Sequence, residues 1–178
     1  GKKDLGEDFF KENKGHFWMM VETRPFMRAK SELARTQYHL GDIQSAMTTM
    51  EEILELNPGD NLGIRYLLLT LYLEAGQYDD AQVLLDQYDG DSAASFQFNN
   101  ALLHFFKDGL TAQTTSLLQE ADQKNPNVKE YLTGKKPVPN RTPNYIGIGD
   151  ETEAIAYVQD SGHLWKDAPP LVTELNKL

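Results

Sequence analysis

The chain has 178 residues, 40% hydrophobic and 25% charged, a size and balance that suit one domain with a continuous buried core. Its formal net charge of −10 sets it against phosphate backbones, which excludes nucleic acid as a general partner. No apolar run approaches the ~20 residues needed to span a bilayer, so no membrane insertion is expected. Cysteine is absent, which removes disulfides, thiolate catalysis and Cys-based zinc sites and favours a cytoplasmic location, though it is also compatible with a bacterial envelope. The charge is unevenly placed. Residues 1–40 hold eight Lys and Arg against six Asp and Glu, whereas residues 41–178 hold nine against 21.

Residues 1–23 are predicted to form an N-terminal helical cap. Residues 4–13 read as the end of a helix with Leu5, Phe9 and Phe10 on one face, which implies a native start upstream of Gly1. Gly15 breaks this helix, and Phe17-Trp18-Met19-Met20 is expected to cover the open apolar end of the first repeat, with an exposed partner-binding patch as the alternative. Thr23 is the expected N-cap of the next helix, with Pro25 in its first turn. Helix–turn–helix units then span 24–128. Asn57-Pro58 and Asn125-Pro126 lie two periods of 34 residues apart, and the same offset of 68 lays Gly41 on Gly109, Ala46 on Thr114, Met50 on Leu118 and Ile53 on Ala121. Midway, Gly76, Ala81, Leu85 and Tyr88 repeat the set with a slip of one residue.

Three units result, with turns at Gly41, Gly76 and Gly109. Small residues at Ala34, Ala46 and Ala81 allow paired helices to approach closely. Leu102 and Thr114 depart from this in the third unit, where the packing is expected to be looser or compensated by a neighbour. Residues 129–149, with Pro137, Pro139 and Pro143, read as an extended linker. Its Tyr145 and Ile146 are expected to anchor on the inner face of the repeats. Residues 150–178 form a C-terminal helical segment packed on the repeats. Asp150 and Glu153 have the spacing of a capping box, and Ala154, Ile155, Tyr157, Val158 and Trp165 come next as apolar anchors. A last helix takes Pro169 and Pro170 in its first turn.

The 34-residue period with glycine, alanine and proline in phase resembles the tetratricopeptide repeat, which implies an all-α helical solenoid and a binding scaffold. A narrower likeness lies in Asn125-Pro126, Tyr131-Leu132, Gly149-Asp150, Glu153 to Tyr157 and Trp165-Lys166, which resemble the C-terminal region of the suppressor of tumorigenicity family. Related bacterial tetratricopeptide proteins of unassigned function share runs such as Gly15-His16-Phe17-Trp18 and Glu22-Thr23-Arg24-Pro25. These resemblances carry over no catalytic residue.

No phosphate loop, nucleophile elbow or zinc-binding His-Glu-x-x-His motif is present. Gly147-Ile148-Gly149 is too short for a dinucleotide fingerprint and reads as a turn. His16, His39, His104 and His163 are each isolated in sequence, so no metal, cofactor or enzymatic activity is expected. The candidate site is instead a concave groove lined by the first helix of each unit, as the tetratricopeptide resemblance implies. It takes Arg28, Ser31, Arg35 and Tyr38 from the first unit. The second gives Leu62, Arg65, Leu69 and Tyr72, and the third Phe96, Asn99, Leu103 and Phe106. Arginine forks, tyrosine rings and an asparagine amide suit a protein or peptide with acidic character or a C-terminal carboxylate. Ser31 and Arg35 stand where the chaperone-binding carboxylate clamp has Lys and Asn. Two alternatives remain: Arg65 pairs with a local carboxylate such as Glu32, or the chain is a structural module whose own C-terminal segment fills the groove.

Overall fold

A computed structural model describes residues 6–178, and the expected inward role of Leu5 lies outside them. Among the described residues there are ten α-helices, three 3₁₀ turns and no strand. The chain divides into two compact units, one ending at Leu71 and the other starting at Tyr72. The division falls inside one helix.

The first unit contains α1 (Glu7–Glu12), 3₁₀ turns at Phe17–Met19 and Val21–Thr23, α2 (Arg24–His39), α3 (Ile43–Leu56) and most of α4 (Ile64–Glu74). α2 and α3 pack against each other, and Ala34 and Ala46 are fully buried on them. Their connection needs a left-handed residue, which Gly41 supplies at φ 80°, and Asp42 then caps α3 by accepting from the Ser45 amide at 3.3 Å. Phe17 has no exposed surface. Its ring lies 4.8 Å from Phe10, 5.8 Å from Phe9 and 6.1 Å from Phe26, so this one residue of the apolar run closes the end of the core. Met19 and Val21 stay exposed.

Thr23 does not cap α2. Its backbone is already helical, at φ −91° and ψ −15°, so the hydroxyl turns back and donates to the carbonyls of Phe17 and Met20. Asp60 starts α4. It holds the uncommon φ of 44°, and its buried carboxylate accepts from the amides of Ile64 at 2.8 Å and Arg65 at 3.0 Å.

The second unit continues with α5 (Tyr78–Gln87), α6 (Ala94–Asp108), α7 (Ala112–Lys124), α8 (Asn127–Leu132), α9 (Glu151–Ser161), a 3₁₀ turn at Gly162–Asp167 and α10 (Pro169–Leu175). α6 and α7 form a pair comparable to α2 and α3, joined at Gly109. Of the two outcomes expected at Leu102 and Thr114, looser packing does not occur. Both are fully buried, and the Thr114 hydroxyl donates to the Gly109 carbonyl at 2.9 Å, which satisfies the polar atom inside the contact. α8 carries helix as far as Leu132, so the extended stretch begins later than residue 129. The last helix begins at Pro169, with 3₁₀ geometry before it.

α9 packs on α6 and α8, and α10 packs on α7. Phe98 lies at the centre of this arrangement, its ring 5.5 Å from Tyr157 and 6.1 Å from Trp165. Tyr145 is 74% exposed, and Ile146 and Ile148 are exposed with it, so these side chains are not anchors. The run turns tightly at this point instead. Asp150 N–H donates to the Gly147 carbonyl, Gly147 N–H donates to the Thr152 hydroxyl, and a side chain at Gly147 would collide with the Asp150 carboxylate.

Candidate functional site

Within the first unit, α2 brings Arg28, Ser31, Arg35 and Tyr38 onto one stripe, because spacings of three and four residues return to the same side of a helix. Arg24 extends the stripe by one turn. Trp18 lies beside its start, with the guanidinium carbon of Arg24 5.4 Å and that of Arg28 5.9 Å from the ring centroid. Arg24 Nε also donates to the Trp18 carbonyl at 2.9 Å, which fixes the aromatic ring against the helix. Arg28 and Arg35 are exposed, and neither is ion-paired to a carboxylate among the described residues. Ser31 is buried between them, and Tyr38 is half-buried.

Arg65 has a different place. Its Nη1 lies 2.9 Å from Asp60 Oδ2, its guanidinium carbon sits 4.2 Å over the Tyr66 ring, and its Nη2 donates to the Tyr66 hydroxyl. The partner is Asp60, not Glu32. Asp60 is in reach because the turn that starts α4 folds it back over that helix's first residues. Leu69 has no exposed surface and belongs to the core.

In the second unit Tyr72 and Asn99 are buried, and Phe106 is half-buried with its ring 5.9 Å from Tyr78. Asn99 is held by the chain itself. Tyr157 O–H donates to Asn99 Oδ1 at 3.0 Å, and Trp165 Nε1–H donates to the Tyr157 oxygen at 2.8 Å. Burial pushes the Tyr157 phenol far above its ordinary range, so it stays a neutral donor. Polar-tipped aromatics need partners when buried, and that rule is the signal in Tyr157 and Trp165 that could have pointed to Asn99.

A second group was not legible in the repeat pattern. Glu153 is buried and accepts from Ala94 N–H at 2.9 Å, Asn125 Nδ2–H at 2.9 Å and Gly149 N–H at 2.8 Å. The capping box is thus only half made. Asp150 caps α9 by accepting from the amides of Thr152 at 2.7 Å and Glu153 at 3.2 Å, but the Glu153 side chain reaches elsewhere. The Thr152 hydroxyl bond, chiefly, holds the Asp150 carboxyl below its usual range. Beside it, Lys136 and Tyr131 both donate to Glu151, and Lys136 foremost lowers the Glu151 carboxyl. An open groove of about 780 Å³ also lies in this unit, with Leu132, Val138, Val158, Trp165 and Val172 on its walls and no carboxylate among its lining residues.

No helix among the described residues is long and apolar enough to cross a membrane. No curated protein and no solved structure matches the chain. A family model does: residues 37–102, from the last turn of α2 into α6, match the tetratricopeptide repeat, a family whose repeats generally mediate protein–protein interaction. With the helix pairs α2/α3 and α6/α7 and a period of 34 residues, the described residues have an all-α, tetratricopeptide-like repeat fold.

Proposed function

We propose that the protein is a non-catalytic binder of protein or peptide partners and that the α2 stripe is where it meets an anionic one. The observation that carries this is the exposure of Arg28 and Arg35, without carboxylate partners among the described residues, in a chain of net charge −10. Acidic side chains are abundant enough to neutralise two arginines, yet none among the described residues does. The chemistry suits acidic side chains or a C-terminal carboxylate, which a guanidinium holds through two parallel N–H donors. Leu69 is buried in the first unit and Tyr72 and Asn99 in the second, while Arg65 is taken up by Asp60 and Phe106 is half-buried beside Tyr78; the direct contacts are assigned to α2. The test is titration of the full chain with an Asp/Glu-rich peptide and its Asn/Gln counterpart. Affinity for the acidic peptide should fall with added salt and vanish in an Arg28→Ala/Arg35→Ala variant whose melting temperature is unchanged. Equal affinity of that variant would remove the stripe from the site.

A second reading fits the second unit. Tyr157 on Asn99 favours a helix face occupied by the chain's own C-terminal segment, making that unit a structural module. The likeness of residues 125–166 to the suppressor of tumorigenicity family supports the same role, with the segment integral to the fold. Tyr157→Ala should then unfold the unit without creating a new peptide site.

A further inference from the structure

The stripe on α2 has a spacing as well as a charge, and the spacing restricts the conformation of any ligand that lies along it. Arg28 and Arg35 are seven residues apart, which is close to two helical turns and about 10.5 Å along the axis. A ligand running alongside must place two anions a similar distance apart and on one side. In a β-strand, residues on one side recur every second position, at about 6.7 Å and then 13.4 Å, and neither matches. A polyproline II segment turns once every three residues and rises about 9.3 Å in doing so. Carboxylates at positions i and i+3 of such a segment therefore face the helix together, with a mismatch of about 1 Å that long side chains absorb.

Aromatic rings stand at both ends of this pair. Trp18 lies against Arg28, and Tyr38 is three residues beyond Arg35 with its ring 5.6 Å from that of His39. Flat rings beside an extended path are what proline-rich segments dock on, since proline presents a preformed apolar ridge that loses little entropy on binding. His39 is itself tied to the helix through Nδ1 and the Arg35 carbonyl, 2.7 Å apart.

We infer that the α2 stripe recognises a proline-rich polyproline II segment bearing two carboxylates three residues apart, one on Arg28 and one on Arg35. This rests on the anion-binding reading above and specifies its ligand.

The experiment uses the full chain and synthetic proline-rich peptides with two Asp residues two, three or four positions apart, plus a peptide with Asn in place of both. Binding is followed through the indole N–H resonance of Trp18, with buried Trp165 as the internal control among the two tryptophans. The three-residue spacing should bind about fivefold tighter than either neighbour, the difference made by one exposed ion pair. The Arg28→Glu/Arg35→Glu variant should lose this peptide and gain its Lys counterpart at the same spacing. Equal affinity for all three spacings would overturn the spacing and leave anion binding standing. If the Asn peptide binds as well as the Asp peptides, or if none binds, both readings fall.

Discussion

The first and second units carry the same helix face at an offset of 68 residues, and they have made opposite use of it. Arg28, Ser31, Arg35 and Tyr38 correspond in register to Phe96, Asn99, Leu103 and Phe106. On α2 the two long side chains are charged and exposed; on α6 their counterparts are apolar and buried, and the amide between them is bonded to Tyr157. The repeat end shows the same divergence. Asn57 and Asn125 are both buried, but Asn57 Nδ2 has no partner among the described residues, whereas Asn125 Nδ2 donates to the Asp150 carbonyl and to Glu153. Register says where a face lies. Its chemistry decides whether the chain covers it.

The strongest way to break this comparison is at Glu153. Glu153→Ala removes the acceptor shared by the Ala94 amide, the Gly149 amide and Asn125 Nδ2, of which Asn125 keeps the Asp150 carbonyl, and should cost about 3 kcal/mol in a urea titration, with Glu153→Gln recovering part of it. A change below about 0.5 kcal/mol would mean that the C-terminal segment is held by its apolar side chains alone. Next is Asn125→Ala, expected at about 2 kcal/mol, against less than about 1 kcal/mol for Asn57→Ala, whose Nδ2 makes no bond to lose. Equal losses would erase the contrast between the two repeat ends.

Tyr157→Phe should destabilise by about 1–2 kcal/mol, because Asn99 Oδ1 and Trp165 Nε1 lose their common partner. It carries a pH signature too. Burial raises the folded-state pKa of Tyr157, and burial together with the Glu151 bond raises that of Tyr131, so the unfolded state releases protons first. Stability is therefore full below the ordinary tyrosine pKa of about 10 and declines as pH rises beyond it. Tyr157→Phe should flatten that decline, as followed by circular dichroism.

The smallest effects separate the arginines. Arg65→Ala strips a cation from buried Asp60, which keeps two amide donors, and should cost about 1–2 kcal/mol. Arg28→Ala and Arg35→Ala should stay within about 0.5 kcal/mol of the parent in thermal melts while weakening anion binding. A large loss of stability at Arg35 would class it with Arg65.

Much of the helix pattern was legible because its signals are local. Gly41 needs positive φ where it stands, Asp42 caps the helix that begins beside it, and the glycine, alanine and proline period counts out the pairs. The features that were not legible act across distance. Nothing near Glu153 indicates that its carboxylate meets an amide 59 positions earlier, and the capping-box spacing offered a nearer answer. The site was half legible for the same reason. Repeat phase put Arg28, Arg35 and Arg65 into one set, but Asp60, five residues before Arg65, was the closer determinant of what Arg65 does. Phase could not reveal that Asn99 is matched to a tyrosine from the far end of the chain.

The bond between Ala94 N–H and Glu153 also bears on how the protein is made. An amide in the first turn of α6 lacks an intrahelical acceptor, and this one finds its acceptor in a residue synthesised 59 positions later. While the ribosome is still adding α7 and α8, the start of α6 faces water and Phe98 lacks the rings that later enclose it. Folding of the second unit is consequently a late, nonlocal event, slower than that of a simple helix pair, and the interval before Trp165 leaves the exit tunnel is when the nascent chain is most exposed to aggregation.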